Sequence, residues 1–166
     1  MLINQKVLFN GSECQTIINL NKTNLKYWDT NEYKYNSMGI LYSNETKWIF
    51  DKLTEYFVSQ TNADIISLKE EIHFHTYKKG ESFVRHNDAK KNRIYGVGVI
   101  LNNTFDGGDF IFYDKETIVI DKEIGNAYIF DVITDHEVKE ITDGFRYSLL
   151  WFLENSNLKI KKNSLI

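Results

Sequence analysis

Three short pieces of the chain carry residue types that do chemistry together: His86-Asn87-Asp88, His136, and Arg146-Tyr147-Ser148. Two histidines and one aspartate are the donor set of the 2-His-1-carboxylate facial triad, which holds non-haem Fe(II) and leaves coordination positions open. The arginine, ten residues past the second histidine, adds a planar fork of donors that matches a carboxylate. The set describes a site for iron plus a carboxylate co-substrate, which is the equipment of an iron-dependent oxygenase. His-x-Asp alone recurs by chance, and the bland alternative is a surface histidine beside an aspartate. The later His and the Arg-x-Ser make the pattern specific. The basic residues add a hint, since 17 are Lys and only three are Arg: Arg85, Arg93 and Arg146. An Arg kept against that bias suggests a position that needs planar, two-pronged geometry.

These side chains need elements that bring them together. From residue 64 onward the apolar period is two, with Ile66, Leu68, Ile72 and Phe74 alternating with polar residues. Further strands are expected at 82–86, 93–102, 109–113, 116–120, 127–131 and 146–153. They are separated by turn signals such as Lys79-Gly80, Asp106-Gly107-Gly108, Gly125-Asn126 and Asp143-Gly144. On a strand, residues i and i+2 share a face, so His86 and Asp88 can serve one ion while Asn87 points elsewhere. Before residue 62 the spacing predicts two helices. One is capped by Ser12 and runs through Cys14, Ile17 and Leu20; the other is capped by Ser43 or Asn44 and carries Trp48, Leu53, Tyr56 and Phe57. Residues 22–42, with Tyr27, Trp28, Tyr33, Tyr35 and Tyr42, read as a loop or short-strand region, either a lid or plain packing. The sum is a mainly β protein with N-terminal helices, a sandwich or jelly roll. It is expected as one domain over 1–166, with helical support over about 1–62 and the core over about 64–155.

Composition narrows the partners. A net charge of -3 and 42% hydrophobic residues fit an ordinary globular protein, with no nucleic-acid or membrane partner expected. Cys14 is the single cysteine, so no internal disulfide forms and a reducing, cytoplasmic setting is expected. The opening MLINQKVLFN lacks the apolar run of a secretory signal. Lys90-Lys91 and the tail Lys159-Ile160-Lys161-Lys162 read as solvated.

Several motifs resemble the prolyl 4-hydroxylase-like branch of the 2-oxoglutarate/Fe(II)-dependent dioxygenases. They are Tyr77-x-x-Gly80-x-x-Phe83-x-x-His86-x-Asp88, Gly96-x-Gly98-x-Ile100-Leu101-Asn102, Gly107-Gly108-Asp109-Phe110-x-Phe112, His136-Glu137-Val138, and Gly144-x-Arg146-Tyr147-Ser148 with Trp151. The resemblance covers about residues 77–153. It implies a double-stranded β-helix (jelly roll) with His86, Asp88 and His136 as iron ligands. Arg146 would pair with the distal carboxylate of 2-oxoglutarate, with Ser148 and Tyr77 donating to it. Its cofactors would be Fe(2+), 2-oxoglutarate and dioxygen, with ascorbate as an accessory reductant. The implied reaction couples oxidative decarboxylation of 2-oxoglutarate to hydroxylation, first of all of a peptidyl proline in a peptide or protein substrate.

Departures qualify that picture. Some relatives use Lys where this chain has Arg146, and Ile100 stands where certain relatives carry a tyrosine for the co-substrate, which leaves Tyr77 or Tyr95 to serve. Arg93 is a candidate substrate contact at the pocket rim, equally a solvated strand end, and Trp151 and Phe152 are core or pocket wall. The alkylation-repair oxygenases carry a second arginine where this chain has Phe152, which disfavours DNA demethylation. His73-x-His75 could suggest a cupin metal site, but Glu81 is poorly spaced for it, so both read as strand-face histidines. The alternatives are hydroxylation of a free amino acid or small metabolite, nucleotide modification more distantly, and a β-helix domain that binds without turnover. The oligomeric state is not legible.

Overall fold

Alternation along the strands builds the layers of this protein. In the computed structural model, which describes residues 2–90 and 92–162, the long strand Ile141–Glu154 sends Leu149, Trp151 and Leu153 to one face and Arg146, Ser148, Leu150 and Phe152 to the other. The first face packs against helices. The opposite face borders the space between two sheets.

In chain order the elements are β1 (Leu2–Val7), α1 (Gly11–Asn19), β2 (Thr23–Asp29), β3 (Lys34–Leu41), α2 (Lys47–Gln60) and β4 (Ala63–Ile65). Then come β5 (Glu71–Lys78), β6 (Phe83–His86), β7 (Arg93–Ile100), β8 (Phe105–Gly107), β9 (Phe110–Tyr113) and β10 (Thr117–Val119). The chain continues through β11 (Asn126–Asp131), β12 (Asp135–Val138), β13 (Ile141–Glu154) and β14 (Leu158–Ile160). The large antiparallel sheet has the order β1-β11-β7-β13-β5-β3-β2, and the small one β10-β9-β12-β6. The small sheet faces part of the large one across an aromatic layer of Tyr77, Phe110, Phe112, Tyr128 and Phe130. Behind the large sheet, α1 and α2 bury Ile17, Ile49, Phe50, Leu53 and Phe57 against Val97, Val99, Ile129 and Trp151. Each such side chain contributes roughly 1.5–3 kcal/mol on burial. This is the jelly-roll architecture expected.

The N-terminal third departs from expectation. It holds both helices, but β1, β2 and β3 also pair into the large sheet, so residues 1–62 are more than helical support. The aromatic stretch 22–42 is a hairpin, β2 against β3, with Trp28 opposite Tyr35, and β3 continues the sheet beside β5. The first helix is capped by Asn10 rather than Ser12: its side chain accepts from the Glu13 amide at 2.8 Å while Glu13 accepts from the Asn10 amide at 3.0 Å. The second begins after Thr46, later than Ser43 or Asn44, because residues 43–46 form a turn of their own in which the Ser43 amide donates to Thr46 Oγ1. Lys161 is not merely solvated, since its ammonium donates to the carbonyls of Val58 and Thr61 near the end of α2. Lys91 lies outside the described residues. No described helix is long and apolar enough to cross a membrane.

Candidate active site

Sheet register sets the two histidines face to face. β6 pairs with β12 so that His86 is directly opposite His136, with ring centroids 4.4 Å apart. Each ring is held the same way. His86 Nδ1 lies 2.7 Å from the Val84 carbonyl and His136 Nδ1 lies 2.9 Å from the Thr134 carbonyl. A carbonyl only accepts, so both Nδ1 atoms carry the proton and both Nε2 atoms keep a lone pair for a metal. Phe83 stacks on His86 at 3.6 Å, and Phe110, Phe112 and Phe130 surround His136. Outside, Arg85 Nε donates to Asp135 Oδ2 at 3.1 Å, bracing β6 to β12.

Asp88 joins them by a different route from the one expected. β6 ends at His86, so Asp88 is not on a strand face. Instead its amide donates to the Val132 carbonyl at 2.9 Å, pinning the segment to the turn before β12. Its carboxylate lies 3.4 Å from His86 Nε2 and 3.0 Å from His136 Nε2. The donor atoms of the three residues lie within 4.8 Å of one another. Burial alone would raise the Asp88 carboxyl, while the His136 and His86 rings, when they carry a proton at Nε2, lower it by hydrogen bonding and charge. Its Oδ2 is buried with no hydrogen bond, although His136 Nε2 is close. Three donors converging on one point with an unsatisfied oxygen fit a divalent ion that leaves positions open.

Arg146 supplies the second half of the fit. It is 2% exposed, paired in register with Tyr77, and its Nη1 donates to Ser148 Oγ at 3.1 Å. Its Nε and Nη2 are buried with no partner. A guanidinium left with two free donors inside a protein wants an anion, and a carboxylate fills both. Tyr77 and Phe110 flank the guanidinium at 5.6 and 5.5 Å. Burial pushes the phenols of Tyr77 and Tyr128 well up, with Arg146 offsetting part of it, so both stay protonated and able to donate. The glycines of β7 explain how Tyr128 fits there. A Cβ at Gly98 would overlap the Tyr128 ring, and one at Gly96 would overlap Phe130.

One cavity of about 560 Å³ takes in His86, Asp88, His136, Arg146, Ser148, Tyr77 and Arg93. Arg93 is half-buried and stacked over Phe152 at 3.7 Å. Two expected residues are elsewhere. Tyr95 shares the parity of Val97 and Val99, so its ring meets Phe57 of α2 at 5.3 Å on the helix side of the sheet. Trp151, fully buried beside Phe50, donates its Nε1 proton to the Lys69 carbonyl at 2.9 Å and is core, while Phe152 is the cavity wall. Tyr128 of β11, not Tyr95, stands on the cavity wall. His73 and His75 also line the cavity, a placement that their shared parity with Tyr77 on β5 already carried. Residues 22–42 wall one side with Trp28, Tyr33 and Tyr35.

Comparison with known proteins gives concordant results. Residues 72–154 match the family model described as the 2OG-Fe(II) oxygenase superfamily. No curated protein matches the chain in sequence. Among solved structures, it resembles a 2OG-Fe(II) oxygenase family oxidoreductase from Burkholderia pseudomallei at 18% identity, over 95% of this chain and 87% of that one, with a TM-score of 0.69. It resembles a prolyl-4-hydroxylase from Pseudomonas putida at 17% identity over 92% of each chain, TM-score 0.68. A prolyl hydroxylase from Trichoplax adhaerens, solved with a peptide fragment of the hypoxia inducible factor oxygen degradation domain, matches at 19% identity over 93% and 84%, TM-score 0.70. At these identities the likeness is one of fold.

Proposed function

The chain belongs to the 2OG-Fe(II) oxygenase superfamily, and from that premise we propose that it hydroxylates a peptidyl side chain, proline first, using Fe(II), 2-oxoglutarate and dioxygen. The observation that carries the reading is the buried, half-unpartnered Arg146 in the same cavity as His86, Asp88 and His136. When bound, Fe(II) with 2-oxoglutarate supplies the oxidising chemistry that turns a C–H bond into C–OH while the co-substrate becomes succinate and carbon dioxide. The protein's own residues do the rest. His86 and His136 offer Nε2 lone pairs because their Nδ1 protons are tied to backbone carbonyls. Asp88 supplies the charge. Arg146 grips the far carboxylate of the co-substrate, with Ser148, Tyr77 and Tyr128 donating around it, and the aromatic layer keeps water away from the reacting atoms.

The peptidyl reading is supported by the size of the cavity, which lies within the roughly 300–1,000 Å³ of ligand pockets and exceeds what a small diacid fills. Its aromatic wall on the β2–β3 hairpin suits an extended chain. Arg93 favours the second reading, a free amino acid: its guanidinium stands over Phe152 with no ion pair among the described residues and could grip a free carboxylate. The test is anaerobic titration of Fe(II) and 2-oxoglutarate into metal-free protein, following the visible absorption of the chelate. Aerobic succinate release and peptide mass are then measured. The band should need His136, and a proline peptide should gain one oxygen. Succinate production that survives His136→Ala would overturn the proposal.

A further inference from the structure

Resting on that hydroxylase reading, we propose that His75, seconded by His73, is the side chain that reads an amide group of the prime substrate. β5 alternates so that His73, His75 and Tyr77 face the cavity while Ile72 and Phe74 face the helices. Register sets His75 between Ser37 of β3 and Ser148 of β13. Its ring lies against Tyr35 at 4.8 Å and is 9% exposed. Neither ring nitrogen hydrogen bonds to the protein among the described residues. Its nitrogens are not among the sealed, unpartnered atoms of the interior, so they open onto the cavity, where a bound substrate can complete them.

Neither the metal triad nor the carboxylate grip uses this residue. Arg146 and Ser148 stand on β13, whereas His75 stands one strand nearer the β2–β3 hairpin, where Leu25, Ser37 and Tyr35 continue the wall. That side of the cavity remains for the substrate. Burial, with His73 and Arg146 adding to it, pushes the His75 ring down to about 3, so the imidazole is neutral. A neutral imidazole presents one N–H and one lone pair. A peptide backbone presents carbonyls and N–H groups that can meet one nitrogen each, while a free carboxylate or ammonium at this ring would leave one side of that pairing unused. His73 differs in having Nε2 occupied by Glu71, 3.3 Å away. Its ring packs edge-on to His75 at 6.0 Å and to Phe152 at 6.1 Å, which links the amide-reading position to the rest of the substrate wall.

The probes are acetyl- and amide-capped Xaa-Pro-Xaa tripeptides of varied flanking residues, set against free L-proline. Each is titrated anaerobically into protein loaded with Fe(II) and 2-oxoglutarate, and the half-saturating concentration is read from the change in visible absorption. Capped peptides should bind and free proline should not. His75→Phe, which keeps the ring and removes both nitrogens, should weaken capped-peptide binding about tenfold or more. His75→Asn, which restores a donor and an acceptor, should recover to within a few-fold of wild type. Wild-type-like peptide binding by His75→Phe overturns the assignment. So does free proline binding more tightly than every capped peptide, or a chelate band that no capped peptide perturbs. A wild type that forms no chelate band overturns the hydroxylase reading itself, and this assignment with it.

Discussion

Replacing Arg146 with Met should move two quantities in opposite directions. Met keeps most of the volume and removes a buried guanidinium whose Nε and Nη2 have no protein partner. Two charge-assisted hydrogen bonds to a carboxylate, each worth about 1.5–3 kcal/mol, would go with them. Affinity for 2-oxoglutarate should therefore fall by at least about 3 kcal/mol, more than a hundredfold at about 1.4 kcal/mol per factor of ten. In the absence of ligand the balance reverses. The wild type carries an uncompensated charge at 2% exposure, and removing such a charge in favour of a packed apolar side chain is neutral or stabilising by about 1–4 kcal/mol. Loss of the Ser148 hydrogen bond and of the contacts with Tyr77 and Phe110 trims that gain to about 1–2 kcal/mol. Anaerobic 2-oxoglutarate titration of the Fe(II)-loaded proteins reads the first quantity, and urea unfolding of the metal-free proteins reads the second. Co-substrate affinity within tenfold of wild type refutes the carboxylate role of Arg146. A metal-free variant less stable than wild type by more than about 1 kcal/mol refutes the claim that the charge is uncompensated.

Two other perturbations follow from the same packing. Gly98→Ala pushes a methyl into the Tyr128 ring; it should cost about 1–3 kcal/mol of stability by overpacking and weaken 2-oxoglutarate binding, and a variant unchanged in both would show that Tyr128 is free to move aside. Folding stability should fall as pH drops below about 6.5, because the unfolded chain binds a proton at His75 near 6.5 that the folded protein refuses until about 3. From pH 7 to 5 that amounts to about 2 kcal/mol, the slope approaching 1.36 kcal/mol per pH unit below 6.5. Urea midpoints of His75→Phe should decline less over that window, and parallel curves would refute the burial of a neutral ring.

Much of the candidate site was legible because strand alternation is local. The parity that pairs Arg146 with Ser148 also assigns Trp151 to the opposite face, and the parity of Gly96 and Gly98 excludes Tyr95 in the same way. Applied to β5 from Tyr77 backwards, it brings His75 and His73 into the cavity. Those misplacements came from weighing residue type and resemblance over the period of two. Asp88 is the instructive exception: i, i+2 spacing named the right residue, but a hydrogen bond to Val132, 44 positions away, is what holds it. No local rule supplies that contact.

By itself the sequence determined the donor chemistry, most of the strands that carry it and, for residues on those strands, the face each takes, since these depend on residue type and on neighbours one or two positions away. Only the tertiary structure decided that His86 meets His136 across β6 and β12, that Tyr128 rather than Tyr95 lines the cavity, that residues 22–42 are an edge hairpin, and that Arg146 is left with two buried donors. These depend on strand order and on which side chains fill the same space, and both are settled by the packing of distant segments.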